Sequence, residues 1–200
     1  MKKATRRAED YPLRRRESVA AILADHRDVL LVAGLGPASW DCTAAGDRDL
    51  TFPLWGAMGG AAAMGLGLAL AQPQRKVLVI TGDGEMMMGI GSLATVATQQ
   101  PANLTIVVLD NERFEETGGQ LTPTAGFADI AKIAEGCGIE RTSTVRTAGE
   151  LKLMISGLYK KPGPALRVIK INTENPPMVL APKDGNELRI RFRKALLGTA

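Results

Sequence analysis

The sequence predicts an α/β protein built on an open, mostly parallel sheet with helices on both faces. Short apolar, β-branched runs recur along the chain at Asp28 to Ala33, Val77 to Thr81, Leu104 to Leu109 and Ala165 to Ile171. Each is too short for a helix, and glycine, proline or polar residues bound it, as expected of buried strands. Stretches with a helical rhythm alternate with them. Within Lys76 to Gln120, strand, crossover and strand together take roughly thirty residues, the size of one right-handed βαβ unit.

In order, Pro12 to Asp25 reads as a helix (Leu13, Val19, Ala20, Leu23) and Asp28 to Ala33 as the first strand. The loop that follows, Gly34-Leu35-Gly36-Pro37-Ala38-Ser39, opens like a dinucleotide fingerprint. Pro37 removes an amide from it, however, and no acidic residue stands roughly twenty positions on, where a ribose would need one. After Trp55-Gly56-Ala57-Met58-Gly59-Gly60 comes a helix of small residues, AAAMGLGLALA. A helical glycine costs about 1 kcal/mol relative to alanine. Gly65 and Gly67 therefore predict close approach of another backbone, inside the domain or across a subunit contact.

Val77 to Thr81 is a strand, Glu85 to Gln99 a crossover helix stopped by Pro101 and Asn103, and Leu104 to Leu109 the parallel strand after it. Phe127 to Cys137 reads as a helix, Ile139 to Val145 as a strand, and Thr147 to Leu158 as a helix capped by Thr147. After the strand Ala165 to Ile171, residues 172–200 form an extended, proline-containing arm and a terminal amphipathic helix. Three parts follow: a basic N-terminal segment and first helix (1–27), the main domain (28–171), and the arm and helix of the same domain (172–200).

The glycine turn Gly82-Asp83-Gly84 and the strand-end Asn111 emerge together at the carboxyl edge of the sheet, where open α/β folds bind ligands. Asp83 offers a carboxylate and Asn111 an amide oxygen, hard ligands suited to Mg²⁺ or Ca²⁺ but too few to complete an octahedron. Phosphate oxygens and water fill such a gap, and the amides of Gly84 and Glu85 at a helix start favour a phosphate. A metal-bridged diphosphate fits better than a free metal.

GDG, about twenty-five residues, and then an Asn closing an apolar strand resembles the diphosphate-binding motif of thiamine diphosphate enzymes. The wording GDGEMMMGIGSLATVATQQPANLTIVVLDN followed by TGGQ is similar to the phosphonopyruvate and sulfopyruvate decarboxylase group of that family. The resemblance includes Phe52 to Pro73 and extends more weakly from about Val29 to Ile171. It implies the thiamine diphosphate-binding fold, with thiamine diphosphate and Mg as cofactors. It implies metal ligation by Asp83, Asn111 and the backbone carbonyl of Arg113.

Around the diphosphate it places Gly82, Gly84, Glu85, Phe114, Thr117, Gly118 and Gly119, and Ser39 from the first loop. The Gly56 carbonyl accepts from the cofactor's exocyclic amine, and Met58 lies beneath the cofactor and bends it. Of the three consecutive methionines, Met86 is the one placed near the cofactor, with the others in the core. Glu85 departs from the family pattern, where a small residue is common. Its charge opposes a diphosphate, so its side chain is expected to point away or to hold a metal-bound water.

The family's activating glutamate belongs to a pyrimidine-binding domain, and this chain is too short to hold both domains. The resemblance thus implies no catalytic residue here, a separate pyrimidine-domain subunit in a hetero-oligomer, and non-oxidative decarboxylation of a small 2-oxo acid carrying a second acidic group. Three alternatives stay open: an acetolactate synthase-type carboligase, a 2-oxo acid:ferredoxin oxidoreductase β-like subunit, and a non-catalytic assembly subunit. The second expects clustered cysteines that this chain lacks.

Composition fits a soluble domain, with 45% hydrophobic and 23% charged residues among 200. The net charge of +4 owes much to Lys2, Lys3, Arg6, Arg7, Arg14, Arg15 and Arg16, which read as a solvated terminal segment without nucleic-acid binding. Cys42 and Cys137 form no metal or disulfide pattern and suit a reducing, cytoplasmic setting. No apolar stretch is long enough to span a membrane, and the basic start lacks the apolar core of a signal peptide. His26 is expected on a helix surface, and Glu112, Glu115 and Glu116 as solvated loop carboxylates.

Overall fold

The computed structural model describes residues 7–26 and 28–199; Lys2, Lys3 and Arg6 lie outside them. After a 3-10 turn at Arg7–Asp10 the elements are α1 (Arg15–Leu23), β1 (Leu30–Ala33), α2 (Pro37–Ala44), β2 (Thr51–Pro53), α3 (Ala61–Ala71) and β3 (Val77–Gly82). Then come α4 (Asp83–Met88), α5 (Ser92–Gln99), β4 (Leu104–Asp110), a short antiparallel pair β5 (Arg113–Phe114) and β6 (Gln120–Leu121), and α6 (Ile130–Gly136). The chain ends with β7 (Arg141–Val145), α7 (Ala148–Leu158), β8 (Ala165–Lys170) and α8 (Gly185–Leu197).

Six strands form one sheet in the order β2-β1-β3-β4-β8-β7, and every pairing is parallel. Parallel sheets are covered on both faces, which is why β1 and β4 are buried at every position. Alternate strand residues serve two separate cores. Leu30, Val32, Val77, Val79, Leu104 and Ile106 pack with α3, α5, α6 and Phe192 of α8. Leu31, Ala33, Leu78, Ile80, Val107 and Leu109 pack with α1, α2 and α7. The predicted fold class is therefore the one observed.

Several predicted boundaries move for local reasons. The crossover is two helices, not one: it breaks at Gly89, where a side chain would collide with the backbone oxygen of Gly59. The helix expected from Phe127 starts at Ile130, because Asp129 caps it by accepting from the Lys132 amide at 3.1 Å. The first helix is trimmed to Arg15–Leu23, and the strand expected from Ile139 begins at Arg141. Helix α2 is not foreseen by the sequence pattern, although Pro37 at its first position suits a helix start. The Thr147 cap forms with Glu150 as a reciprocal capping box.

Gly65 is closely approached by a side chain and not by the backbone expected: a Cβ there would strike Val79 of β3. Gly67 faces open space in this chain. His26 lies past the end of α1 and is buried at 2% exposure, contrary to the surface position expected; its Nδ1 is paired with the Leu23 carbonyl. Burial holds its pKa below the ordinary histidine value.

The basic N-terminal segment is only partly solvated from Arg7 onward, with Arg7 and Arg14 exposed. Arg7 reaches Glu112 at 2.9 Å, and Arg15 is 2% exposed. The arm after β8 runs along this segment, with the Asn172 amide donating to the Leu13 carbonyl at 2.9 Å and Arg16 to that of Pro177 at 2.7 Å. It then meets Trp55, whose indole donates to the Pro182 carbonyl at 2.8 Å. Helix α8, capped by Asp184, docks on β2 through an edge-to-face contact of Phe52 and Phe192 at 5.6 Å.

Candidate functional site

A cleft opens at the carboxyl edge of β1, β3 and β4. Its floor is the turn from β3 into α4, Gly82 to Glu85, with Asn111, Arg113, Phe114 and Thr117 from the loop after β4. Leu35, Pro37 and Ala38 supply an apolar wall, Met58 stands at one side, and Arg15 closes the back. A Cβ on Gly84 would lie 2.5 Å from the Phe114 ring, so only glycine lets that ring cover the turn.

Asp83 is 1% exposed, and its Oδ2 accepts from the Thr122 hydroxyl at 2.5 Å and the Thr124 hydroxyl at 3.0 Å. Thr124 also lies 2.8 Å from Asp110 Oδ1, but one hydroxyl has one proton and serves a single carboxylate at a time. Lys170 neutralises Asp110 at 2.6 Å. Asp83 has no basic partner among the described residues. Burial first, and the nearby Asp110 charge second, push its pKa up to about 7.

Glu85 is the other buried carboxylate without a basic partner among the described residues, at 4% exposure. Its side chain neither points away nor stands free: Oε2 accepts from the Thr81 hydroxyl at 2.6 Å and the Leu35 amide at 3.0 Å. Gly34 must lack a side chain to admit it. Oε1 is buried without a hydrogen-bond partner, and burial raises the Glu85 pKa. The carboxylate thus ties the β1 turn to the end of β3.

Asn111 Oδ1 accepts from the Arg113 amide at 3.0 Å, and its Nδ2 donates to Glu115 at 2.5 Å. Two of the glutamates expected in solvent are not there. Glu112 is 0% exposed, holds a left-handed φ of 62°, and is fastened by Arg7 (2.9 Å), Tyr11 (2.8 Å) and Lys170 (3.3 Å). Glu115 pairs with Arg15 at 2.5 Å, and only Glu116 is exposed as expected. Burial and the Glu112 charge push the Tyr11 phenol up to about 12.

Of the residues singled out from the sequence, Met58, Gly82, Asp83, Gly84, Glu85, Asn111, Arg113, Phe114 and Thr117 border the cleft. Ser39 is buried within α2, and Gly56 and Gly118 are exposed outside it. Met86 is 2% exposed, belongs to the same core as Leu66, Val79 and Leu93, and is not among the residues that line the cleft. Sequence reasoning missed Arg15, Asp41, Thr122, Thr124 and Lys170. Thr122 and Thr124 alternate just after the TGGQ loop, the one local signal available; the others come from distant segments.

Asp83, Glu85 and Asn111 all line the cleft, and oxygen donors of these kinds suit a divalent cation. Among the described residues no three His, Cys, Asp or Glu side chains could hold a metal by themselves. The donor set therefore fits an ion that brings further oxygen ligands with it.

The family model for thiamine pyrophosphate enzymes, C-terminal TPP binding domain, matches residues 42–169. The sulfopyruvate decarboxylase subunit beta of Methanothermobacter thermautotrophicus is 34% identical over 93% of this chain and 97% of that protein. The phosphonopyruvate decarboxylase of Streptomyces hygroscopicus is 36% identical over 82% of this chain, which spans only 41% of that longer protein. Among solved structures, a thiamin diphosphate-dependent enzyme from Mycobacterium smegmatis superposes with a TM-score of 0.68 at 23% identity, over 82% of this chain and 33% of that one. By fold, by the matched domain and by near full-length likeness to a decarboxylase subunit, the chain belongs to the thiamine pyrophosphate enzyme family, as its C-terminal TPP-binding domain.

Proposed function

We propose that this chain is the diphosphate-binding subunit of a Mg-dependent 2-oxo acid decarboxylase, acting non-oxidatively on a substrate with a second acidic group such as sulfopyruvate or phosphonopyruvate. The observation that carries the reading is Asp83, a buried carboxylate with no basic partner among the described residues, lining a cleft beside Asn111. Thiamine diphosphate, when bound, supplies the electron sink for loss of carbon dioxide.

The chain's own residues bind and orient. Asp83, the Asn111 amide oxygen and the Arg113 carbonyl would hold the metal, and the backbone of Gly82 to Glu85 the diphosphate. Phe114 covers Gly84, and Leu35, Pro37, Ala38 and Met58 keep water from the cleft. The glutamate that activates the pyrimidine end of the cofactor in the family is not assigned to any of these groups. That glutamate is assigned to a separate pyrimidine-domain subunit, in keeping with the name "subunit beta" of the methanogen relative. The pair is placed in the cytoplasm, where Cys42 and Cys137 stay free. No helix among the described residues is long and apolar enough to cross a membrane.

The test is carbon dioxide release from sulfopyruvate and phosphonopyruvate by the chain alone and mixed with a co-encoded pyrimidine-domain subunit, with thiamine diphosphate and Mg²⁺. Release only by the pair is the expected result. Absence of thiamine diphosphate binding by either preparation overturns the reading.

A further inference from the structure

A chain of charges runs from the N-terminal helix to one proposed metal ligand. Arg16 Nε lies 2.8 Å from Asp41 Oδ1 and Arg15 Nε 2.6 Å from Asp41 Oδ2. Arg15 Nη1 lies 2.5 Å from Glu115 Oε2, and Asn111 Nδ2 donates to Glu115 Oε1 at 2.5 Å. Asp41, Arg15 and Asn111 are 0%, 2% and 5% exposed, so little water competes for these contacts.

The two ends of an asparagine amide are almost the same size, yet only the oxygen can bind a cation. A carboxylate held by an arginine accepts and does not donate, so only the Asn111 NH₂ can face Glu115. The oxygen is thereby turned to the other side, where the Arg113 amide takes one of its two lone pairs. We propose that Glu115, held in place by Arg15, is a positioning residue that fixes the Asn111 amide with its oxygen toward the metal. The inference rests on the reading of Asn111 as a ligand. It adds a role for a loop carboxylate and for an arginine nearly a hundred residues away in sequence.

The test is the dissociation constant of Mn²⁺, used as the probe ion and followed by its electron paramagnetic resonance in the presence of thiamine diphosphate. It compares the wild-type chain, paired with the pyrimidine-domain subunit, with Glu115→Gln, Asn111→Asp and the double variant in the same pair. A glutamine has one acceptor oxygen for two donors and so loses control of the amide. Glu115→Gln should weaken Mn²⁺ roughly tenfold or more.

In the Asn111→Asp background the amide donor is gone and a second carboxylate faces Glu115, so Glu115→Gln should no longer weaken Mn²⁺ and its effect should vanish or reverse, as a double-mutant cycle reports. A loss of the same size in both backgrounds, or none in either, overturns the positioning role. Failure of the wild-type chain to hold Mn²⁺ overturns the ligand reading itself. Should Glu115→Gln not fold, Glu115→Asp keeps the carboxylate but shortens its reach, and allows the same comparison.

Discussion

The two sides of the cleft are made in different ways. The floor, Gly82 to Glu85 with Asn111 to Thr117, comes from two adjacent strands of one βαβ unit, and its geometry follows from the chain's local path. The back, Arg15 with Asp41 and Glu115, joins three segments through buried ion pairs separated by 26 and 100 residues. The floor is short of positive charge, since Asp83 and Glu85 have no basic partner among the described residues. The back is balanced, with Arg15 and Arg16 matching Asp41 and Glu115. The unpaired carboxylates of the floor and the matched charges of the back meet at Asn111, which borders the cleft and donates to Glu115.

The largest expected effect on ligand binding breaks the floor alone. Asp83→Asn keeps the contacts to Thr122 and Thr124 but removes the anionic ligand. Thiamine diphosphate with Mg²⁺ should bind roughly 100-fold more weakly by titration calorimetry, at or beyond the upper end seen for supporting residues of metal sites. The ligand-free protein should melt at the same or a higher temperature, because a buried carboxylate without a cation has been neutralised. A lower melting temperature would mean that the Asp83 charge supports the fold.

Breaking the back should cost stability first, and weaken ion binding through the loss of Glu115's anchor. Arg15→Ala strips Glu115 of its cation and leaves Asp41 with Arg16 only, and loss of one partner of a buried ion pair costs about 3–5 kcal/mol. Urea unfolding measures that loss; a change below about 1 kcal/mol would show the pair to behave like a surface one.

A smaller effect separates the two glycines of α3. Gly65→Ala drives a methyl into Val79 and should cost about 1–3 kcal/mol. Gly67→Ala meets nothing in this chain and should add up to about 1 kcal/mol of helix stability. If Gly67→Ala instead impairs assembly with the partner subunit while raising the melting temperature of the chain alone, that helix face is covered in the complex.

The smallest effect lies away from the cleft. Burial lowers the folded-state pKa of His26, so the unfolded chain takes up a proton first as pH falls. Stability is fully present above about pH 6.5 and is lost as pH falls from there toward the folded pKa, by at most about 1.4 kcal/mol per unit. A His26→Gln variant should lose less stability than wild type between pH 7 and pH 5.5; an equal loss would assign the dependence to other groups.

The parts legible in the sequence are those whose cause is local. Strands β1, β3, β4 and β8 announce themselves as short, largely apolar runs because both sheet faces are covered, and Gly65 announces a close packing because a helix bears glycine at a cost. What could not be read arises from contacts between distant segments. Arg15 and Arg16 stand in a basic cluster indistinguishable by composition from a solvated tail. Glu112 sits in a loop of charged residues, with nothing nearby to show that Arg7, Tyr11 and Lys170 would enclose it. The break at Gly89 depends on the backbone of Gly59, thirty residues earlier, and Met86 looks the same in sequence whether it faces a ligand or the core.

The buried Arg15–Asp41 pair bears on how the protein can be cut. The family domain begins at Cys42, one position after Asp41, so trimming to that homologous boundary would keep β3, β4 and the whole glycine turn. It would also discard both halves of the pair, along with β1 and the Leu35 wall. What survives would carry every signature by which the domain is recognised, and would have no back to its cleft.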